Sequence, residues 1–335
     1  MTRWAIAAGL VLAMLGFGIG VYHAVGYLKG DSKAVHRPNE ISAPSVPGTM
    51  YVVQAGAIYR FQHGSFTQIT SESGWTQVSP APNNQLVAVR RQANFSDLYL
   101  LSTSGKTVSQ LTRDSNPSVD ANHWAFYPRF SPDGRTLFYS FDPKDPYNLY
   151  RVDLAIVASG IEANSRPVSW THPNELTGGD VSPVPTRTGA LIYTKYSIDE
   201  SYQVRSQIWI QKRAGSGGQA LTAPDLGCSQ PALAPDEKLL AMVCTKGSSQ
   251  SAELDVAALD QTTLTLGSPA SLVSGQLVAS PAFSSDSNTI TYLAPSAPGG
   301  HFQLWTVGTT GPASVREITT DLGLDSQSAP VWLGG

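Results

Sequence analysis

Most of the sequence signatures that mark enzymes are missing from this chain. It has no Gly-x-Ser-x-Gly nucleophile elbow, which excludes an α/β-hydrolase site. Its six histidines, His23, His36, His63, His123, His172 and His301, stand apart, with no His-x-His, His-Glu-x-x-His or Cys-His spacing to hold a metal. Ser104 to Thr107, "SGKT", is similar to the end of a phosphate-binding loop, but Leu100 stands where that loop needs glycine, and the stretch reads as a hairpin turn. Charged residues make up only 14% of the chain, 22 basic against 25 acidic, with no basic cluster to follow a phosphate backbone, so nucleic acid is not an expected partner. No catalytic residue, metal or cofactor is therefore expected. Acidic residues such as Asp114, Asp120, Asp180 and Asp225 fall where turns favour aspartate in any case.

One long apolar run is present. Trp4 to Leu28 carries no Lys, Arg, Asp or Glu over 25 residues, long enough at about 1.5 Å per residue to cross a bilayer core of about 30 Å. It exceeds the apolar region of a cleaved signal peptide and lacks a clear cleavage site, so residues 1–28 are read as an uncleaved signal anchor. Gly16 and Gly20 form a GxxxG pair through which two such helices could associate weakly, although glycine is common in membrane helices without that role. Residues 29–48 are polar, with three prolines and no periodicity, and read as a tether.

Residues 49–335 are organised by repetition. A Ser-Pro-Asp-Gly turn between apolar runs, seen in "RFSPDGRTLFYS" from Arg129, returns in altered form in "SPAPNNQLVAVR" from Ser79, "SPVPTRTGALIY" from Ser182, "ALAPDEKLLAMV" from Ala232 and "AFSSDSNTITYL" from Ala282. Pro82, Pro132, Pro185, Pro235 and Ser285 mark the turns, at spacings of 50, 53, 50 and 50. Pro128, Pro231 and Pro281 each sit four residues ahead of a turn marker. A third strand recurs as "AIYRF" (Ala57), "DLYLL" (Asp97), "NLYRV" (Asn148), "QIWIQ" (Gln207), "ELDVA" (Glu253) and "QLWTV" (Gln303). A fourth ends in an aliphatic-Thr pair: Ile69-Thr70, Leu111-Thr112, Leu176-Thr177, Leu221-Thr222 and Ile318-Thr319, with no clean version in the unit near Pro231. Each unit is a four-stranded antiparallel meander of propeller-blade size. Met50 to Thr70 supplies second to fourth strands without a first, and "APVW" from Ala329 supplies a first strand without the rest. The expected fold is all-β, a six-bladed propeller whose ring is closed by one blade shared between the two ends.

The combination of "PRFSPDGRTLFYS", "NLYRVDL" and strands ending in "QLT" or "EIT" resembles the propeller of the TolB family, over nearly all of residues 50–335. The family's periplasmic member has a separate N-terminal domain, whereas this chain has the apolar run. The resemblance implies the fold, and together with the cysteines it implies a propeller on the extracytoplasmic side of a single-pass membrane protein. Cys228 and Cys244 lie at equal offsets from the turn at Pro235 to Lys238, which sets them opposite each other on adjacent strands, and a disulfide is expected. The long stretch from Asp114 to Phe130 brings Asn122, His123, Trp124 and Tyr127 to the entrance of a first strand as candidate binding residues. Tyr196 to Ser206, "YSIDESYQVRS", is a second candidate loop. The functional expectation is a non-catalytic protein-binding or peptide-binding scaffold in the cell envelope, with an envelope or membrane protein as partner. A small-ligand or metal receptor, or an enzyme using the central channel, is the alternative.

Overall fold

The computed structural model describes residues 46, 48–142, 153–160, 166–173, 177–247, 251–310 and 314–333. The expected membrane span, the Gly16 and Gly20 pair and the tether up to Ser45 lie outside them. Among the described residues, no helix is long and apolar enough to cross a membrane.

Six antiparallel sheets follow one another along the chain. The first strands of five are Trp75–Ala81, Ala125–Phe130, Asp180–Pro185, Cys228–Leu233 and Ala279–Phe283. In the sixth sheet, here blade one, Val331–Leu333 pairs with Thr49–Gln54, which continues through Ala57–Gln62 to Ser65–Gln68. First strands of successive blades touch along the middle of the molecule, and Val331–Leu333 touches both Ala279–Phe283 and Trp75–Ala81. The second strands read as apolar runs, "LVAV", "LFYS", "LIYT" and "LLAMV", because both of their faces are covered by neighbouring blades. Side chains such as Leu86, Ile192, Leu240 and Ile290 are fully buried there.

Every complete first strand is interrupted at the same point. The ladder slips by one residue between Thr76 and Ser79, Phe126 and Arg129, Val181 and Val184, Ser229 and Ala232, and Ala279 and Ala282. The bulge residue in each, Gln77, Tyr127, Ser182, Gln230 or Ser280, has a left-handed backbone with φ between 49° and 56°. In four of the five, a proline follows directly: Pro128, Pro183, Pro231 and Pro281. Proline has no N–H to contribute to a ladder that the bulge has already broken, which accounts for its place inside a strand.

The bulges correct the alignment of blade four. Its turn is Thr186 to Gly189, with Gly189 N donating to Thr186 O, as Gly134 N donates to Ser131 O in blade three. Arg187, not Pro185, stands at the turn-proline position. Pro185 belongs to the first strand, two residues after Pro183. The arginine has a use there: its Nη2 donates to Pro235 O of blade five at 2.5 Å, and Arg187 N donates to Glu237 Oε1 at 2.8 Å.

Blade three needs two further corrections. Its third strand is Ala155–Gly160, which pairs with Thr136–Phe141; the Asn148 stretch with its Leu-Tyr pair lies outside the described residues. The ladder takes instead a run of small and aliphatic residues, Ala155 to Ala158, all buried. Its repeat-pattern threonine is Thr171, because Thr171 Oγ1 accepts Ile156 N–H at 2.9 Å. Thr177 lies beyond the fourth strand, and its N–H donates to Asp153 Oδ1 at 3.0 Å.

That threonine contact explains the aliphatic-Thr motif. Just past the fourth strand, Thr70, Thr112, Thr171, Thr222 and Thr319 each accept the N–H of an aliphatic residue in the third strand: Ile58, Leu98, Ile156, Ile208 and Leu304. The hydroxyl carries on the ladder after the backbone has turned away. Blade five lacks the threonine and has a fifth strand instead, Ala270–Gln276, paired with Ala252–Asp260.

Cys228 and Cys244 are bonded and fully buried, as directly opposed residues with Cα atoms 4.0 Å apart. The bridge closes a short loop, worth about 3 kcal/mol in the chain-entropy account. Replacing both cysteines with alanine is expected to cost that much in urea unfolding, and an unchanged midpoint would show that the blade does not depend on the bridge. Thr222→Val keeps the shape of the side chain but strands the buried Ile208 N–H, at a cost of about 1–3 kcal/mol. The same substitution at the exposed Thr67 serves as the control and is expected to change little.

Candidate functional site: the central channel

The bulges also build a channel. Gln77, Tyr127, Ser182, Gln230 and Ser280 line it, with Gln327 of blade one, around a cavity of about 150 Å³. The left-handed turn at each bulge places one side chain on the channel wall, and in four of the five the bulge N–H is satisfied by a neighbouring blade. Gln77 N donates to Ser328 Oγ at 2.6 Å, Tyr127 N to Gln77 Oε1 at 2.8 Å, Gln230 N to Thr194 Oγ1 at 3.1 Å and Ser280 N to Gln230 Oε1 at 2.6 Å. The side chains of the channel thereby link one blade to the next. Ser280 Oγ donates to Ser326 O at 2.7 Å, and Tyr127 Oη to Gln327 Oε1 at 3.1 Å, which brings the segment before Val331 into the same belt.

The four candidate residues of the Asp114 to Phe130 stretch divide between structure and channel. Asn122 is buried and its Oδ1 accepts Asn116 N–H at 2.5 Å, bracing the loop. His123 stacks on Phe141 at 4.9 Å, with Nδ1 at 3.0 Å from Asp142 O and 3.2 Å from Asp142 Oδ1. Trp124 stacks on Phe126 at 5.8 Å and lies 5.6 Å from the Arg91 guanidinium. Of the four, only Tyr127 lines the channel, where burial raises its phenol pKa. Sequence reasoning missed Arg129, Gln77 and Gln230. The signal for the glutamines and Tyr127 is a column of side chains one residue ahead of the recurring proline position.

The second candidate loop rises at the edge of the channel. Leu191–Ile198 and Val204–Gln211 form a hairpin that extends to the pair Ile198 and Val204. Tyr196, on the first of these strands, lines the channel. Beyond it, Ile198, Tyr202 and Val204 are exposed, Tyr202 by 88%. Asp199 holds the tip in shape by accepting from Ser201 N, Gln203 N and Arg205 Nε at 2.8–2.9 Å, and those bonds keep its carboxyl below the usual range.

Beneath the Asp114 loop lies a group of acids. Asp97 accepts from Gln110, Thr112 and Asp114 N, and Asp142 from Trp124 N. Asp114 Oδ2 is buried without a hydrogen-bond partner. Burial raises this carboxyl to about 6; the Thr112 hydroxyl and His123 oppose the rise, and Asp97 and Asp142 add to it. Among the described residues, no three His, Cys, Asp or Glu side chains gather as a cation site would require.

The sheets and the channel define a six-bladed β-propeller of four-stranded antiparallel blades. Among solved structures, the chain is similar to TolB from Acinetobacter baumannii, with a TM-score of 0.63 and 17% identity, the match covering 85% of this chain and 66% of that one. A protein of Agrobacterium tumefaciens assigned as TolB gives 0.57 and 12%, covering 84% and 92%. The gluconolactonase XC5397 of Xanthomonas campestris gives 0.54 and 14%, covering 86% and 90%. No protein-family profile and no curated protein matches the chain. At these identities the likeness establishes the fold, and a fold common to a TolB and a gluconolactonase leaves activity to the individual site.

The raised Asp114 pKa sets a pH dependence. From about pH 4, where the unfolded chain loses this proton, up to about 6, where the folded chain loses it, stability falls, because the unfolded state binds fewer protons there. Asp114→Asn is expected to raise Tm at pH 7 and to leave it unchanged at pH 4. An equal shift at both values in thermal scans would show that the carboxyl's charge is not the cause.

Proposed function

We propose that this protein is a non-catalytic binding scaffold of the cell envelope, a propeller held on the extracytoplasmic side of a membrane by the apolar run at residues 4–28, with the ring clasped by the sheet that both ends share. One observation supports a polypeptide partner above all. The blade-four hairpin runs from Tyr196 in the channel to an apolar tip at Ile198, Tyr202 and Val204, exposed yet held rigid by Asp199 and Arg205. A rigid tip gives up little conformational entropy on binding, and an exposed tyrosine beside two valine-class side chains is the composition of an interface anchor. The channel beside it offers amides, hydroxyls and a phenol, groups that orient a bound chain.

The test is site-specific photo-cross-linking of the full-length protein in its native membranes. A cross-linker at Tyr202 is expected to capture a reproducible envelope protein. One at Val108, an exposed residue on the outer strand of blade two, is expected not to. Capture from both positions alike, or from neither, would remove the hairpin as the binding surface.

A further inference from the structure

The channel has one charged lining residue among those described, Arg129, two positions beyond the blade-three bulge. No acceptor among the described residues meets its guanidinium, and no carboxylate lines the channel with it. Burial alone pulls its pKa down to about 10, with no acidic neighbour to offset the effect. The guanidinium is half-buried in the channel wall, so it keeps some contact with water while its donors stay open to a ligand's acceptors.

The glutamines make the same demand. The Oε1 atoms of Gln77 and Gln230 are taken by the backbone N–H groups of Tyr127 and Ser280, and that of Gln327 by the Tyr127 hydroxyl. These contacts fix the orientation of each amide: Gln77 turns its Nε2 to the Tyr127 hydroxyl, and the Nε2 atoms of Gln230 and Gln327 have no acceptor among the described residues. Two blades thus present free amide donors, and a third presents a guanidinium, to one cavity. The cavity, about 150 Å³, has room for several waters or for one small group on a short stem, and not for a folded domain.

We infer that the channel binds a carboxylate, seated against Arg129 and the amides of Gln230 and Gln327. A single cation matches a single negative charge, and a planar guanidinium pairs with the two oxygens of a carboxylate in parallel. The carboxylate belongs either to an acidic side chain of a bound polypeptide or to a free organic acid. The inference rests on taking the channel as part of the scaffold's binding face.

Calorimetric titration of the full-length protein in detergent, with butyrate and with a short capped peptide bearing one glutamate, separates the two sources. Saturable binding of the peptide but not butyrate assigns the site to a partner's acidic segment, and binding of butyrate to a free acid. In either case Arg129→Gln is expected to weaken binding by about tenfold or more, Arg129→Lys to weaken it less, and Arg129→Gln to raise Tm in the absence of ligand, because an unpaired, half-buried charge has gone. A merely structural arginine would lower Tm instead. The inference is overturned if neither probe binds, or if Arg129→Gln binds as well as the native protein. Cross-linking from Tyr202 that persists in such a case would leave the scaffold itself standing.

Discussion

The interaction on which the rest depends is the hydrogen bond from a bulge N–H to the blade beside it. A β-bulge costs the first strand one ladder bond and puts a residue other than glycine into a left-handed conformation, at about 1–2 kcal/mol. Glycine would relieve that strain at Gln77 or Gln230, and would also remove the amide oxygen that accepts from the next blade. The strain is therefore kept at positions whose side chains tie blades together. It also explains why polar residues occupy the centre of a protein whose blades pack through aliphatic and aromatic side chains.

A second device does the same work at the outer side of five of the six blades. The threonine after the fourth strand accepts a third-strand N–H where the backbone no longer can. In two blades the hydroxyl then donates onward, to Asp97 Oδ1 and to Gln303 Oε1, so that one side chain both accepts and donates. Bulge and threonine together mark where the inner and outer edges of a blade stop being ordinary sheet. Each recurs in five of the six blades, where the same two problems return.

Much of this was legible in the sequence, for reasons that can be named. Proline preceding a turn, an aliphatic-Thr pair and directly opposed cysteines are short-range patterns, and they located four of the five turns, the blade count and the disulfide. The errors arose where one pattern imitated another. Pro185 offered a proline near the expected spacing, but the residue that reaches blade five is Arg187, and contact with a neighbouring blade leaves no local trace. Leu149 and Tyr150 matched the third-strand pattern of other blades, whereas pairing in blade three is carried by Ala155 to Gly160. The channel was the least legible part, since Arg129 reads as one polar residue in an alternating strand. Only the bulge two residues earlier decides which way that strand presents it.

The pairing of Thr49–Gln54 with Val331–Leu333 bears on how the molecule is made. Five of the sheets are local, each assembled from neighbouring stretches of chain, and can form as synthesis proceeds. Blade one cannot, because its innermost strand is supplied some 280 residues after its second. Closing so long a loop adds only logarithmically to the entropic cost, but contacts of this separation slow folding. Until residue 333 has emerged, Thr49–Gln54 presents an unpaired edge, open to any strand that meets it first. The edge is therefore open to mispairing throughout the interval in which the other five sheets form, and a chaperone that shields it would protect blade one.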